Sequence, residues 1–381
     1  MKKYKVCVYA IAKNEEKFVK KWVESMSEAD EIYVMLDATS SDATEQLLLD
    51  AGVHVTKKLI KPWRFDTARN ESLKLVPQDA DICVCTDLDE VFTKGWREVL
   101  EKTWQPNTNQ AGYWWWGNAN QPTEPPNKFV CRKIHDRKNF HWVWMIHEYI
   151  HPKDSSMTIN YVFLKGVINE HHPDLTKPRN YNKLLEEAVE LEPDEIYYQQ
   201  LLVEEYLWRG ELEKAGVFVD KIMKNKQAML NTYNKCFNHK LACQLAYAKG
   251  DFKKAKKLCV SLLKEYKDCK WFYGQLGYLQ TIHFKEFEEG IENLKKCFRI
   301  NYDIIEAREM EWNNKAYIAN LISIGYYNLK NYAGAIVWVD RAIELCLKED
   351  DLKVYKKNKD IYLNEYKYDV DDINGLFNLI K

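Results

Sequence analysis

Asp81-Ile82-Cys83-Val84-Cys85-Thr86-Asp87-Leu88-Asp89-Glu90 changes character halfway along. Its first half is a short apolar run, the pattern of a strand buried in a sheet. Its second half is acidic. Asp87 and Asp89 stand two apart where the strand ends, and strand side chains alternate, so both carboxylates point the same way. Such an oxygen-rich corner suits Mg²⁺ or Mn²⁺, and through the ion a diphosphate. Acidic loop residues after a strand are also common, so the pair draws its meaning from what surrounds it.

Upstream, the pattern alternates. Tyr4–Ile11 and Glu31–Leu36 read as strands, and Val53–Val55 begins a third. Between them Glu15–Ser27 places Phe18, Trp22, Val23 and Met26 at helical spacing. Thr39-Ser40-Ser41-Asp42 supplies capping oxygens for a helix with Leu47, Leu48 and Ala51 on one face. Gly52 stops that helix, and Asp66–Leu75 reads as the next. Strands separated by single helices imply βαβ units and a parallel sheet. Ligands of such sheets bind beyond the carboxyl ends of the strands, which is where Asp37 and Asp87–Glu90 fall.

Downstream, Ala111–Asn118, Lys128–His135, Phe140–Ile150 and Met157–Val167 read as further strands, an antiparallel extension of the parallel sheet. The stretch from Gln121 to Asn127 holds three prolines and reads as a turn. After Lys177-Pro178 the chain becomes helical and repeats itself. Leu212, Phe252, Phe287 and Tyr332 each follow a turn, at intervals of 40, 35 and 45, and each has a small residue three positions later. Small-against-large packing lets two antiparallel helices approach across a short turn, so the segment looks like stacked tetratricopeptide-type hairpins with two lengthened connections.

Composition bounds the partners. The 381 residues carry 56 basic and 57 acidic side chains, a net charge of -1, with 46% apolar residues. Residues 1–175 hold 23 basic and 25 acidic side chains and the remainder 33 and 32, so neither part has the positive bias of a nucleic-acid binder. No 18-residue apolar run occurs, and the opening segment lacks a secretory core; no membrane span and a cytoplasmic setting are expected. Ten scattered cysteines without paired zinc spacing read as free thiols in a reducing compartment. Nine of the 13 tryptophans lie in the first 150 residues. Trp22 and Trp96 read as helix core, whereas Trp114, Trp116, Trp142 and Trp144 fall on strands around the expected cleft.

Four segments together resemble a known family. Ala10-Ile11-Ala12-Lys13-Asn14-Glu15-Glu16, Asp37-Ala38-Thr39-Ser40-Ser41-Asp42, Phe65-Asp66-Thr67-Ala68-Arg69-Asn70 and Asp87-Leu88-Asp89-Glu90 are similar to family 2 glycosyltransferases of the GT-A fold, in the subgroup that carries tetratricopeptide repeats. His147-Glu148, Glu170-His171-His172-Pro173-Asp174 and Arg179-Asn180-Tyr181 look like the same subgroup. The resemblance covers most of residues 5–215 and is specific for fold and reaction class, not for substrate. It implies an α/β GT-A domain, Rossmann-like with a mixed sheet, over residues 1–177, followed by an all-α tetratricopeptide-like helical repeat domain over 178–381. It also implies inverting transfer from a nucleotide diphosphate sugar, with UDP the expected nucleotide, to a protein, peptide or glycan acceptor. The loop containing Ala12, Asn14 and Glu15 would hold the base together with Asp37. Asp66 and Arg69 lie in the motif that meets base or diphosphate, Asp87 would touch the ribose, and Asp89 with His172 (His171 the alternative) would hold Mn²⁺ or Mg²⁺. Ala38 and Thr39 depart from the Gly-Ser turn common at this point. Glu148 is the expected general base, with Asp136 the alternative, and pairing of Glu148 with Arg132 or Arg137 the competing structural role.

Two further features need weighing. His147-Glu148-Tyr149-Ile150-His151 spells HExxH, the zinc protease motif, which requires a helix. The flanking aromatic and β-branched residues and Pro152 indicate a strand, on which the two histidines would stand about 13 Å apart. Trp114 and Trp116 share one strand face and Trp115 the other. Trp116 is the expected wall of the sugar pocket, and at least one of the three rings belongs to the core. The competing functions are a repeat adaptor whose sugar-nucleotide domain no longer catalyses, a zinc protease, and a nucleotidyltransferase. The last would need a Gly-rich loop where Ala12-Lys13-Asn14-Glu15 stands. The repeats could recognise the acceptor or mediate self-association into a homo-oligomer.

Overall fold

The computed structural model describes residues 4–117, 127–176, 181–301 and 312–379, with the side chains at 127 and 368–379 outside the description. The chain divides into two compact units, Met1–Leu184 and Leu185–Lys381. The first contains β1 (Val6–Ala12), α1 (Glu16–Met26), β2 (Glu31–Asp37), α2 (Thr44–Asp50), β3 (His54–Lys58), α3 (Phe65–Leu75), β4 (Ile82–Cys85), β5 (Glu90–Phe92) and α4 (Trp96–Thr103). It continues through β6 (Gln110–Gly117), β7 (Asn127–Asp136), β8 (Phe140–Val143), β9 (Tyr149–Pro152) and β10 (Tyr161–His171). Helix α5 (Tyr181–Leu191) follows.

Eight strands form one mixed sheet in the order β3-β2-β1-β4-β7-β6-β10-β5. The first four are parallel. Right-handed crossovers place α1 and α2 on one face, and the return crossover through α3 on the other. Alternation in β1 serves both faces. Val6, Val8, Ala10 and Ala12 pack with Trp22, Met26 and Leu48, while Cys7 and Tyr9 pack with Leu73, Phe140 and Trp142. Trp22 and Trp96 are fully buried on their helices, as their spacing implies. In the second core the Trp142 indole N–H donates to Tyr9 Oη (2.8 Å) and Tyr9 Oη lies 2.7 Å from His135 Nε2. His135 Nδ1 lies 2.6 Å from the Asp136 carbonyl, so a neutral imidazole completes a fully bonded buried chain.

Three expectations are corrected. Residues 140–150 are not one strand: Trp144 and His147 take φ of 76° and 53°, and β8 and β9 form a two-stranded hairpin around them. The Asn70 side chain clamps that hairpin, accepting from Trp142 N–H and donating to its carbonyl. Trp144 therefore lies off the strand, and Trp142 belongs to the core. The extension is also not wholly antiparallel, because β10 runs parallel to β6. In α2 only Leu48 of the expected apolar face is buried; Leu47 is exposed. The proline-rich turn lies largely outside the described residues.

The second unit is a helical repeat. Its hairpins are α6 (Ile196–Trp208) with α7 (Leu212–Lys224), α8 (Thr232–Ala248) with α9 (Phe252–Glu265), α10 (Lys270–Tyr278) with α11 (Phe287–Arg299), and α12 (Lys315–Asn328) with α13 (Tyr332–Leu345). Helix α14 (Glu349–Leu379) packs on the last hairpin. The four second helices begin at the four residues whose spacing marks the repeat. Two residues before each start stands a left-handed residue: Gly210, Gly250, Lys285 and Lys330, at φ of 73°, 76°, 59° and 59°. In three of the turns the next N–H reaches back to a carbonyl of the first helix: Glu211 to Tyr206, Asp251 to Ala246 and Asn331 to Tyr326. The small residues Ala215, Ala255 and Ala335 are fully buried. At Gly290 a Cβ would stand 2.3 Å from Thr281 Oγ1, on the π-helical segment Leu279–Phe284 that extends α10. No described helix is long and apolar enough to cross a membrane.

Candidate active site at the carboxyl edge of the parallel strands

β1 lies between β2 and β4, and the chain leaves it in both directions. That makes the carboxyl ends of β1 and β4 the switch point at which a ligand crevice opens. The loop after β1 is latched to the loop after β2. Asn14, left-handed at φ 52°, donates its N–H to Ser40 Oγ (3.3 Å) and accepts from the Ser41 N–H (2.8 Å). The Glu15 N–H donates to Thr44 Oγ1 (2.7 Å). Ala12 is buried at the strand end. Asp37 is 4% exposed. Its Oδ1 accepts from both the N–H and the hydroxyl of Thr39 (2.7 Å each), and its Oδ2 lies 3.3 Å from the Lys13 ammonium. Burial opposes its charge, but the Thr39 bonds and Lys13 prevail and hold the carboxyl below its ordinary range.

On the opposite face, α3 delivers Arg69. Its guanidinium is almost wholly buried between Glu148, whose Oε1 accepts from Nε at 3.1 Å, and Asp87, bonded through Nη2. It also lies over the Trp142 ring at 5.4 Å. Asp87 accepts a second cation, the Lys133 ammonium, at 3.1 Å. Burial would raise the Asp87 pKa, but Arg69 and then Lys133 outweigh it and hold the carboxyl well below the usual range. Lys133 arrives by a bulge in β7. Ala111 pairs with Ile134 and Tyr113 with Cys131, so Arg132 and Lys133 together face Gly112. A bulge re-aims side chains next to functional sites, and this one turns Lys133 to the carboxylates.

Asp89 and Glu90 form the other side of the corner. Asp89 Oδ2 stands 3.1 Å from His171 Nε2, and the neighbouring His172 pairs instead with Glu170 at 3.4 Å. His171 Nδ1 is a buried nitrogen with no hydrogen-bond partner. The ring stacks on Trp115 at 5.0 Å. Glu90 is 2% exposed and acts as a hub. It accepts from the Trp115 indole (2.8 Å), the Asn169 amide (2.9 Å) and the Asp87 N–H (3.0 Å), with Lys133 at 3.7 Å.

The expected site residues therefore divide. Arg69, Asp87 and Glu148 are in direct contact, and Glu148 pairs with Arg69 rather than with Arg132 or Arg137. Asp37, Asn14 and Glu15 build the adjoining loop pair. Asp66 instead makes local contacts, bound by Arg64 at 3.0 and 2.7 Å and by the Thr67 N–H. Trp116 lies under the Lys128 ammonium at 3.8 Å, and Trp115 is the ring beside the acidic corner. Asp136 accepts from Lys138, Asn139 and the Asn139 amide in a turn. His147 and His151 do not share a helix, and among the described residues no three metal-ligating side chains converge. Lys133 is absent from the sequence-based set, and Glu90 and Trp115 stand in its segments without an assigned role. The one available signal is Arg132-Lys133, two successive cations interrupting a strand.

Four carboxylates, Asp87, Asp89, Glu90 and Glu148, stand against two permanent cations, Arg69 and Lys133, an excess of two acidic groups. A divalent ion would cancel it. Among the described residues Asp89 and His171 are the pair placed to hold such an ion, a donor set that fits a hard ion taking its remaining oxygens from substrate phosphates and water.

No protein-family model matches this chain, and no curated protein matches it. Among solved structures, BtubC from P. vanneervenii is 14% identical over 49% of this chain and 80% of its own, with a TM-score of 0.39. TTC0263, a thermophilic TPR protein of Thermus thermophilus, is 15% identical over 46% of this chain and 87% of its own, with a TM-score of 0.36. S. aureus TarS 1-349 is 9% identical over 94% of this chain and 91% of its own, with a TM-score of 0.31. Likenesses this remote carry no functional argument.

Proposed function

We propose that the first unit is a metal-dependent inverting glycosyltransferase that takes a sugar from a nucleotide diphosphate sugar, with UDP the nucleotide we assign. The observation that carries this reading is the acidic corner at the switch point, where Arg69 joins Asp87 to Glu148 and four carboxylates stand against two permanent cations. The Asn14–Glu15 and Asp37 loops would hold the base and Asp87 the ribose. Mn²⁺ or Mg²⁺ would bind Asp89 with one of the two adjacent histidines. The 3.1 Å separation favours His171 over His172. When bound, the ion supplies positive charge to the leaving diphosphate.

Glu148 is the assigned base. Its Oε1 is engaged by Arg69, which leaves Oε2 to take the acceptor's proton. As that proton leaves, the acceptor atom bonds to the anomeric carbon and the bond from that carbon to the diphosphate oxygen breaks. The second unit would select the acceptor or join two copies of the chain. The described cysteines are all free thiols, in keeping with the cytoplasmic setting we assign. Calorimetric titration of UDP with and without Mn²⁺ tests the assignment. Binding should need the ion, His171→Ala should lose that dependence and His172→Ala should keep it. UDP binding that ignores both Mn²⁺ and His171 would contradict it.

A further inference from the structure

We propose that the open face of β6, β7 and β10 is a binding strip for sugar rings, and hence that the acceptor is a saccharide chain. The inference takes its direction from the transferase reading, but the strip itself stands on separate residues. Along β6, Ala111, Tyr113 and Trp115 point into the first core, so Gly112, Trp114 and Trp116 point to the other face. There Trp114 is 40% exposed and its cross-strand neighbour Val130 is 39% exposed. Trp114, Val130 and Phe163 thus adjoin one another as a contiguous apolar patch, the kind of surface that marks a binding site.

The surroundings specify its chemistry. Gly112 has no room for a side chain because Tyr161 lies over it; a Cβ would stand 2.3 Å from the phenol oxygen and 2.9 Å from the ring. Arg132 sits above Tyr161 at 4.6 Å, and Phe163 meets Trp114 edge-on at 5.7 Å. Rings and cations thus alternate across the face, with Lys128 over Trp116 continuing the pattern. Lysine is depleted from protein interface cores, so Lys128 held over Trp116 does not suit one. A sugar ring offers apolar C–H faces to aromatic rings and hydroxyls to the flanking cations, which matches both elements. The same bulge that sends Lys133 to Asp87 sends Arg132 to Tyr161. The strip therefore begins at the acidic corner, where an acceptor would have to end.

A glycan array probed with the full-length protein, without donor, tests the strip. Hits would be followed by fluorescence titration with the saccharide found, chitotetraose and tetragalacturonate being included in every set. Saccharide binding should fall about tenfold or more in Trp114→Ala, a loss of about 1.4 kcal/mol. Trp114→Tyr should retain it, and UDP affinity should be unchanged in both. Phe163→Leu provides a second variant should Trp114→Ala not fold. No saccharide bound, binding indifferent to Trp114 and Phe163, or transfer to an unglycosylated peptide that ignores Trp114 would overturn the proposal. Saccharide binding that persists in a protein turning over no donor would sink the transferase reading and leave the strip standing.

Discussion

Arg69→Met, measured alone and with Glu148→Gln, probes the joint of the candidate site. The Arg69 side chain is 4% exposed and that of Glu148 13%, with Nε and Oε1 at 3.1 Å. At an effective dielectric of about 20, unit charges about 4 Å apart attract by about 4 kcal/mol. Asp87 is 34% exposed and keeps Lys133 as a partner, so water and that ammonium recover part of its loss. Arg69→Met should therefore destabilise the first unit by about 3 kcal/mol, as expected when a buried pair loses one partner. Glu148→Gln should cost less, because Arg69 retains Asp87. The double variant should be more stable than the sum of the singles implies, with a coupling of about 2 kcal/mol. Urea unfolding followed by tryptophan fluorescence reads this unit, since nine of the 13 tryptophans lie in the first 150 residues. The two units need not melt together, so each transition is fitted separately. Effects that add within about 0.5 kcal/mol would refute the ion pair as a structural joint.

Other consequences concern pH, turns and packing. Burial pushes the His135 pKa down to about 4, from 6.5 when unfolded. Below pH 6.5 the unfolded chain takes up a proton that the folded one refuses, so stability should fall between about pH 6.5 and 4 by up to about 3 kcal/mol. His135→Gln should flatten that part of the curve in urea titrations at stepped pH, and an unchanged slope would contradict it. Lys285→Gly and Lys330→Gly relieve left-handed backbone at non-glycine residues and should each stabilise the second unit by about 1 kcal/mol; Gly210→Ala and Gly250→Ala should do the reverse in thermal melts. Gly290→Ala forces Thr281 aside and should cost about 1–3 kcal/mol, whereas an unshifted melting temperature would show that the close approach is not real.

What could be read in the chain depended on how local its cause was. β1, β2 and β4 show as short apolar runs because they are buried within the sheet, and α1 shows because Val19, Trp22 and Met26 bury one 3.6-residue face. The repeat was legible from a bulky residue at each second-helix start and a small one three later. Lys285 and Lys330 blur the turns by standing where Gly210 and Gly250 announce them. Non-local causes were not legible. The parallel pairing of β10 with β6 and the three-residue β5 are decided by partners far along the chain. The β8–β9 hairpin turns at Trp144 and His147 with no Gly, Pro, Asn or Asp between its strands, so the sequence reads straight through it. In the site, Arg69, Asp87 and Glu148 follow from motif position. Lys133 depends on a bulge, Trp115 on which sheet face meets the corner, and the pairing of Asp89 with His171 rather than His172 on strand register.

The most direct test of the account is nucleotide release. The protein would be incubated with Mn²⁺ and a panel of nucleotide sugars, and the freed nucleotide measured for wild type, Asp89→Ala and Glu148→Gln. The account predicts turnover of at least one donor, UDP-linked. Asp89→Ala should abolish release together with metal-dependent donor binding, and Glu148→Gln should lower release at least about 100-fold while donor binding persists. Absence of turnover and of any thermal shift with every donor, or release that is indifferent to Asp89, would contradict it.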